Sequence, residues 1–230
     1  MAWLVAGLGN PGDRYERTRH NIGKLVVEEL ARSGDARLKK VRFLPAELAE
    51  VREGDERVLL VTSTRFMNES GPSYAGLAKK HDVPPERIVA VHDELEIPPG
   101  ELHVKLGGGS GGHNGLKSLT QALRTPEYHR VRVGIGRPPG RQDPADYVLE
   151  PIGKHVEADI ALWVDRAADA VRSLIRDGLT VTQDRFNRGA GRARAEGPTE
   201  TRVAGQSETR PTADVGTVIL RRCSSGTGRR

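Results

Sequence analysis

Trp3-Leu4-Val5-Ala6-Gly7-Leu8-Gly9-Asn10-Pro11-Gly12 decides how this chain begins to fold, and the polar stretch after it ends in Thr18-Arg19-His20-Asn21. An apolar strand runs into a glycine-rich turn, and a histidine follows. The turn spells G-x-G-x-x-G, a pattern shared with dinucleotide-binding folds, so the surrounding residues must arbitrate. A dinucleotide loop needs a helix opening directly from the glycines, with free N–H groups toward a pyrophosphate and an apolar face on the sheet. Pro11 removes one of those donors. Asp13-Arg14-Tyr15-Glu16-Arg17-Thr18-Arg19 has no i, i+3, i+4 apolar stripe, so no sheet-packing helix is expected there. The first periodic helix begins near Asn21 and carries Ile22, Leu25, Val26, Val27 and Leu30 toward Gly34. Glu28 and Glu29, about twenty residues past the loop, fall inside that helix instead of closing a second strand. The context therefore argues against a dinucleotide loop.

Working outward, strand signals recur at 3–7, 47–51, 58–62, 88–92, 102–106 and 130–136, and helical periodicity at 21–33, 70–82, 115–124 and 154–178. Strands alternating with helices predict an α/β fold with a largely parallel sheet. Glu53-Gly54-Asp55-Glu56 between two β-rich runs predicts a hairpin, which makes the sheet mixed. Ser70 is placed as the N-cap of the helix carrying Tyr74, Leu77 and Ala78. Ile160, Val164, Ala167, Val171, Leu174 and Ile175 share one face of the 154–178 helix, and Trp163 is read as core. The expected architecture is a three-layer α/β/α single domain over 1–187, with a mixed, largely parallel twisted sheet and a disordered tail at 188–230.

The tail is also where the charge lies. Residues 188–230 hold nine arginines against four acidic residues, so the net charge of +5 resides there and 1–187 balances at 27 basic and 27 acidic side chains. Its Gly-, Thr- and Arg-rich composition cannot offset the entropy of ordering. Two roles stand open, a solvated tail and a tether to RNA or the ribosome. No apolar run approaches the roughly 20 residues of a membrane span, and Met1-Ala2-Trp3 lacks a secretory leader, so a cytoplasmic protein is expected. The single Cys223 offers neither an internal disulfide nor a cysteine-based zinc site.

The residues that carry chemistry gather at strand ends and loops, where an open α/β sheet places its site. His20 opens the first helix and Asp93 ends the strand Ile88-Val89-Ala90-Val91-His92. A neutral imidazole can take a proton from water near pH 7 while a carboxylate on its other nitrogen fixes the tautomer. The alternative is a capping histidine and a turn aspartate. Gly108-Gly109-Ser110-Gly111-Gly112, with His155 downstream, matches a nucleophile elbow, but four residues separate Ser110 from the helix start and five glycines surround it. His92-Asp93-Glu94 lacks the spacing of a metal site, since consecutive strand residues face opposite ways. Cations near the loops are Arg14, Arg17, Arg19, Lys105, Lys117, Arg130, Arg132 and Arg137; with few aromatics, any RNA would be held mainly through its phosphates.

Gly7-Leu8-Gly9-Asn10-Pro11-Gly12, Tyr15, Thr18-Arg19-His20-Asn21, Phe66-Met67-Asn68, Ser70-Gly71, His92-Asp93-Glu94-Leu95 and Gly111-Gly112-His113-Asn114-Gly115-Leu116-Lys117 occur together and in this order. Over residues 2 to 187 the chain closely resembles the bacterial peptidyl-tRNA hydrolase family. The resemblance implies a monomeric esterase, free of metal and cofactor, that cleaves peptide from the 3′ end of peptidyl-tRNA. It implies His20 as general base for water and Asp93 as the group that orients it. It further implies that Asn10 distinguishes N-blocked from free aminoacyl groups and that Tyr15, Phe66, Asn68 and Asn114 contact the peptidyl-tRNA end. Met67 and His113 would line the groove, and Lys105 and Arg132 would meet the 5′ phosphate. Lys24, Arg65 and Glu69 depart from the family's usual residues and add charge near the site, so a catalytically weakened RNA-binding paralogue is the alternative.

Overall fold

The computed structural model describes residues 1–153 and 156–187, so the expectations for the 188–230 tail, Cys223 and His155 lie outside the described residues. β1 (Ala2–Gly7) is the axis of a seven-stranded sheet. With β2 (Lys39–Lys40), β3 (Ala46–Glu53), β4 (Glu56–Ser63), β5 (Ile88–Glu94), β6 (Leu102–Leu106) and β7 (His129–Gly134), the order is β2-β3-β4-β1-β5-β7-β6. β1 runs parallel to β4 and β5, and β5 runs parallel to β7. β3 and β6 pair antiparallel with β4 and β7, which makes the sheet mixed as the hairpin signal required. The Gly54-Asp55 turn closes that hairpin with Glu53 opposite Glu56, Gly54 supplying a positive φ of 60°.

The period-two alternation of the strands builds two cores, one on each face. Val5, Leu60, Val89, Val91, Val131 and Val133 pack with Ile22, Val26, Val27 and Leu30 of α2 (Ile22–Ser33) and with α6 (Glu157–Asp177). All six residues assigned to the inner face of α6 are buried. Leu4, Ala6, Leu59, Val61, Ile88 and Ala90 pack instead with Tyr74 and Leu77 of α3 (Gly71–Lys80) and Leu116 and Leu119 of α4 (Asn114–Leu123). Full burial of each such aliphatic side chain contributes about 1.5–3 kcal/mol, so both helical layers are held by the same sheet. The three-layer α/β/α arrangement follows.

Several local details differ from expectation. Ser70 does not cap α3: its own φ of −76° and ψ of −24° are helical, and its hydroxyl donates back to the Met67 carbonyl. The first α3 amide, Gly71 N–H, is met instead by Ser118 Oγ from α4 at 2.9 Å. Trp163 sits at the margin of the first core, half-buried against Gly100, because it lies off the inner stripe of α6. A single-turn helix, α1 (Asp13–Glu16), follows the opening loop but buries nothing. Two short helices were not foreseen. α5 (Pro144–Leu149) starts at Asp143, whose carboxylate accepts the Ala145 N–H at 2.7 Å, with proline in the first turn. After α7 (Leu179–Phe186), Asn187 bonds both the N–H and the carbonyl of Val104 and so covers the edge strand β6.

Candidate active site

The parallel strands β1, β4 and β5 deliver their carboxyl ends to one side of the sheet, and the site grows there. Gly23 sets the distance between the first helix and the sheet. A Cβ at this position would lie 2.1 Å from the Val91 carbonyl oxygen, so only glycine lets α2 descend this close. Leu8 N–H donates to Val91 O at 3.1 Å and Lys24 N–H to Leu8 O at 3.2 Å, tying the end of β1 to both β5 and α2. Tyr74, fully buried, donates its hydroxyl to the Gly7 carbonyl at 2.7 Å.

The opening loop spends its amides on this architecture. Asn10 N–H donates to Asn21 Oδ1 at 2.7 Å, and Asn21 Nδ2 returns a bond to Asn10 O at 2.9 Å. Asn10 Oδ1 accepts the Met67 N–H at 2.8 Å, which leaves its amide NH2 as the group not engaged by that bond. The Leu8 and Asn10 amides are thus bonded within the fold instead of pointing toward an anion. Asn21, quoted in the sequence only as part of a run, is the clamp that holds Asn10.

His20 lies on a 3-10 turn (Arg19–Asn21) at the mouth of α2. Its Nδ1 is 2.9 Å from Asp93 Oδ1 and 3.1 Å from Oδ2. The same Asp93 Oδ1 lies 3.0 Å from His113 Nε2. His113 Nδ1 faces the backbone N–H groups of Gly115 and Leu116 at 3.1 and 3.4 Å. A backbone N–H can only donate, so His113 Nδ1 is an acceptor and the hydrogen sits on Nε2, pointing at Asp93. The start of α4 thereby fixes the tautomer of a second histidine on the same carboxylate. His113, expected only to line the groove, thus bonds the same carboxylate as His20.

Burial acts to lower the His20 pKa, but the Asp93 charge and hydrogen bond outweigh it and the net shift is upward from 6.5. Burial acts to raise Asp93, yet His20 and His113 draw it well below the ordinary carboxylate range, so it stays ionised. His92 is pushed far down by burial and by neighbouring His113, and its Nδ1–H donates to the Asp93 carbonyl at 2.7 Å. His20, Asp93 and His113 also offer one ligand atom each within 4.8 Å of one another. The hydrogen that His113 Nε2 turns toward Asp93 fits a hydrogen-bonded triad better than an open coordination shell.

Over this triad lies a cavity of about 530 Å³ lined by Asn10, His20, Asp93, His113, Asn114 and the α5 residues Ala145 and Val148, among others. Tyr15 and Phe66 stand apart as an edge-to-face pair, centroids 6.3 Å apart, with Phe66 53% exposed. Asn68 is exposed on the turn Met67–Glu69, and Met67 is buried against Gly115 at the start of α4. The nine nominated site residues of the loops thus fall into a buried centre and an accessible rim. Lys105 and Arg132 are half-buried on β6 and β7, and Arg132 pairs at 3.0 Å with Glu94, which lines the cavity. Among the other expected cations, Arg17 pairs with Glu157, Arg19 stacks on Tyr147 and Arg137 pairs with Glu96. Arg65 and Glu69 lie 3.9 Å apart and Lys24 lies 3.5 Å from Glu28, so all three charged departures have opposite charges beside them. Ser110 sits in loop backbone ahead of α4, outside any strand-turn-helix elbow.

Fold and site together define an α/β protein whose cleft is centred on a carboxylate-held histidine. The family model for peptidyl-tRNA hydrolase matches residues 4–195. The chain belongs to the peptidyl-tRNA hydrolase family. It is 50% identical over 193 residues to the peptidyl-tRNA hydrolase of Kineococcus radiotolerans, covering 81% of this chain and 97% of that one. The Nocardia farcinica enzyme is 47% identical over 184 residues, covering 80% and 95%. The crystal structure of peptidyl-tRNA hydrolase from Acinetobacter baumannii superposes with a TM-score of 0.75 at 33% identity, over 81% of this chain and 95% of that one.

Proposed function

We propose that this protein hydrolyses the ester between peptide and tRNA, releasing both for reuse in translation, with His20 as general base. The observation that carries the reading is the His20 Nδ1 hydrogen bond to an ionised, buried Asp93. It leaves Nε2, on the opposite side of the ring, as the basic atom for the cavity that His20 lines. Water gives a proton to Nε2 while its oxygen attacks the ester carbonyl carbon; the resulting imidazolium is stabilised by Asp93. Collapse of the tetrahedral intermediate breaks the bond to the 3′ oxygen of the tRNA, which takes the proton back from His20. An asparagine amide at the cavity, from Asn10 or Asn114, donates to the developing oxyanion.

In this reading Asn10 also separates N-blocked from free aminoacyl groups. Tyr15 and Phe66 form the apolar wall that Asn68 borders, and Lys105 and Arg132 meet a tRNA phosphate. One copy of the chain supplies every group used. The test is turnover of N-acetyl-aminoacyl-tRNA by the full-length protein, with tRNA binding measured in parallel. Release of the acetylated amino acid well above the uncatalysed rate is expected. Binding without release would overturn the proposal in favour of an RNA-binding protein of the same fold.

A further inference from the structure

Arg130 is a cation that the reaction above leaves unused. Neighbouring Lys105 and Arg132 keep partial access to solvent, whereas Arg130 is only 1% exposed. Its guanidinium lies over the Tyr128 ring, 4.8 Å from the centroid. Its hydrogen bonds go to carbonyls and not to a carboxylate: Nη1 donates to Gly109 O and Nη2 to Gly108 O. A buried guanidinium is costly unless its donors are met; here the loop above meets both Nη groups, while the buried Nε has no hydrogen-bond partner.

The loop is also tied at its start, where Gly107 N–H donates to the Tyr128 carbonyl at 3.0 Å. Gly107, Gly108, Gly111 and Gly112 take φ values of 66°, 103°, 56° and 87°, and glycines give up the most freedom when fixed. The residue after Gly109 carries the connection onward. Ser110 O accepts the His113 N–H at 2.9 Å, and His113 Nε2 reaches Asp93 at 3.0 Å, beside His20. A chain of contacts therefore runs from a dry cation to the carboxylate beside the base.

We propose that Arg130 is a positioning residue: its two Nη groups hold the glycine loop, and through it His113, where Asp93 and His20 require it. Lysine keeps the charge but brings all its donors to one nitrogen, whereas arginine's planar fork reaches the two carbonyls from two separate nitrogens. The inference rests on the hydrolase reading. The two fail separately, since an inactive wild-type protein would refute that reading while this one is judged by ratios to an active wild type.

The experiment compares Arg130→Lys, His113→Ala and the double variant in turnover of N-acetyl-aminoacyl-tRNA. Arg130→Lys is expected to lower kcat by about 10- to 100-fold, the scale of a misplaced site, while KM stays within about twofold. The double variant should lose little beyond His113→Ala alone, because the two residues act along one path. An unchanged kcat would overturn the proposal. So would a raised KM with a shallower salt dependence, which would make Arg130 a phosphate contact, or losses that simply multiply. Should Arg130→Lys not fold, the wild-type protein decides by ¹⁵N NMR. Slowly exchanging Arg130 Nη protons support the tether, and rapid exchange typical of an exposed arginine overturns it.

Discussion

Asp93 is the residue on which the site turns, since a single carboxylate oxygen takes hydrogen bonds from two histidines while a third histidine donates to its backbone carbonyl. The consequence is electrostatic. His20 must be neutral to accept a proton, and its pKa is raised, so activity should fall as the pH drops through a value above 6.5. Replacing Asp93 by asparagine removes the charge that raises it, keeps at most a neutral hydrogen bond, and leaves the burial that lowers it. The acidic limb of the kcat/KM profile of Asp93→Asn should therefore move to lower pH even as the plateau falls. A limb that stays in place, in a variant that still turns over, would show that His20 is not the titrating base. The departures at Lys24, Arg65 and Glu69 carry less weight, because each has an opposite charge nearby.

At the scale of elements, the site depends on how closely α2 approaches the ends of β1 and β5. Gly23→Ala places a methyl 2.1 Å from the Val91 carbonyl, and backbone cannot step aside as a side-chain end can. Overpacking of this kind costs about 1–3 kcal/mol, which should appear as a Tm lower by several degrees. An unchanged Tm would mean that the helix does not rest on the strand. Here too lies the boundary of what the sequence disclosed. The long periodic elements were legible: the central strands, α2 and the inner face of α6 declare themselves by period alone. His20, Asp93, Asn10 and Asn114 stand out as polar residues at strand ends and loop exits, but their roles come from the family resemblance and not from position; the structure brings all four to one cavity. α5 was missed although Asp143-Pro144 is a helix-start signal, since six residues show too little periodicity. The dual bond of Asp93 was invisible because it pairs positions twenty apart through a helix start that must first be built. Ser70 misled because a hydroxyl before a helix reads as a cap, whereas the chain was already turning helically there.

For the whole molecule, charge and chemistry occupy different parts. Residues 1–187 are balanced in charge, and the excess of +5 belongs to 188–230. Any affinity of the first part for RNA would then come from local clusters of cations and not from a general field. The two cores hold the sheet rigid between them, and the cleft at its carboxyl end is lined by β5, the α4 start and α5. A scaffold of this kind should tolerate loss of the base without loss of the binding surface, because His20 lies on a turn outside both cores. The most direct test is single-turnover hydrolysis of N-acetyl-aminoacyl-tRNA by His20→Ala beside wild type, with tRNA affinity measured on the same preparations. A fall in rate of about 10²- to 10⁴-fold with affinity nearly unchanged is the predicted result, and undiminished turnover would contradict it.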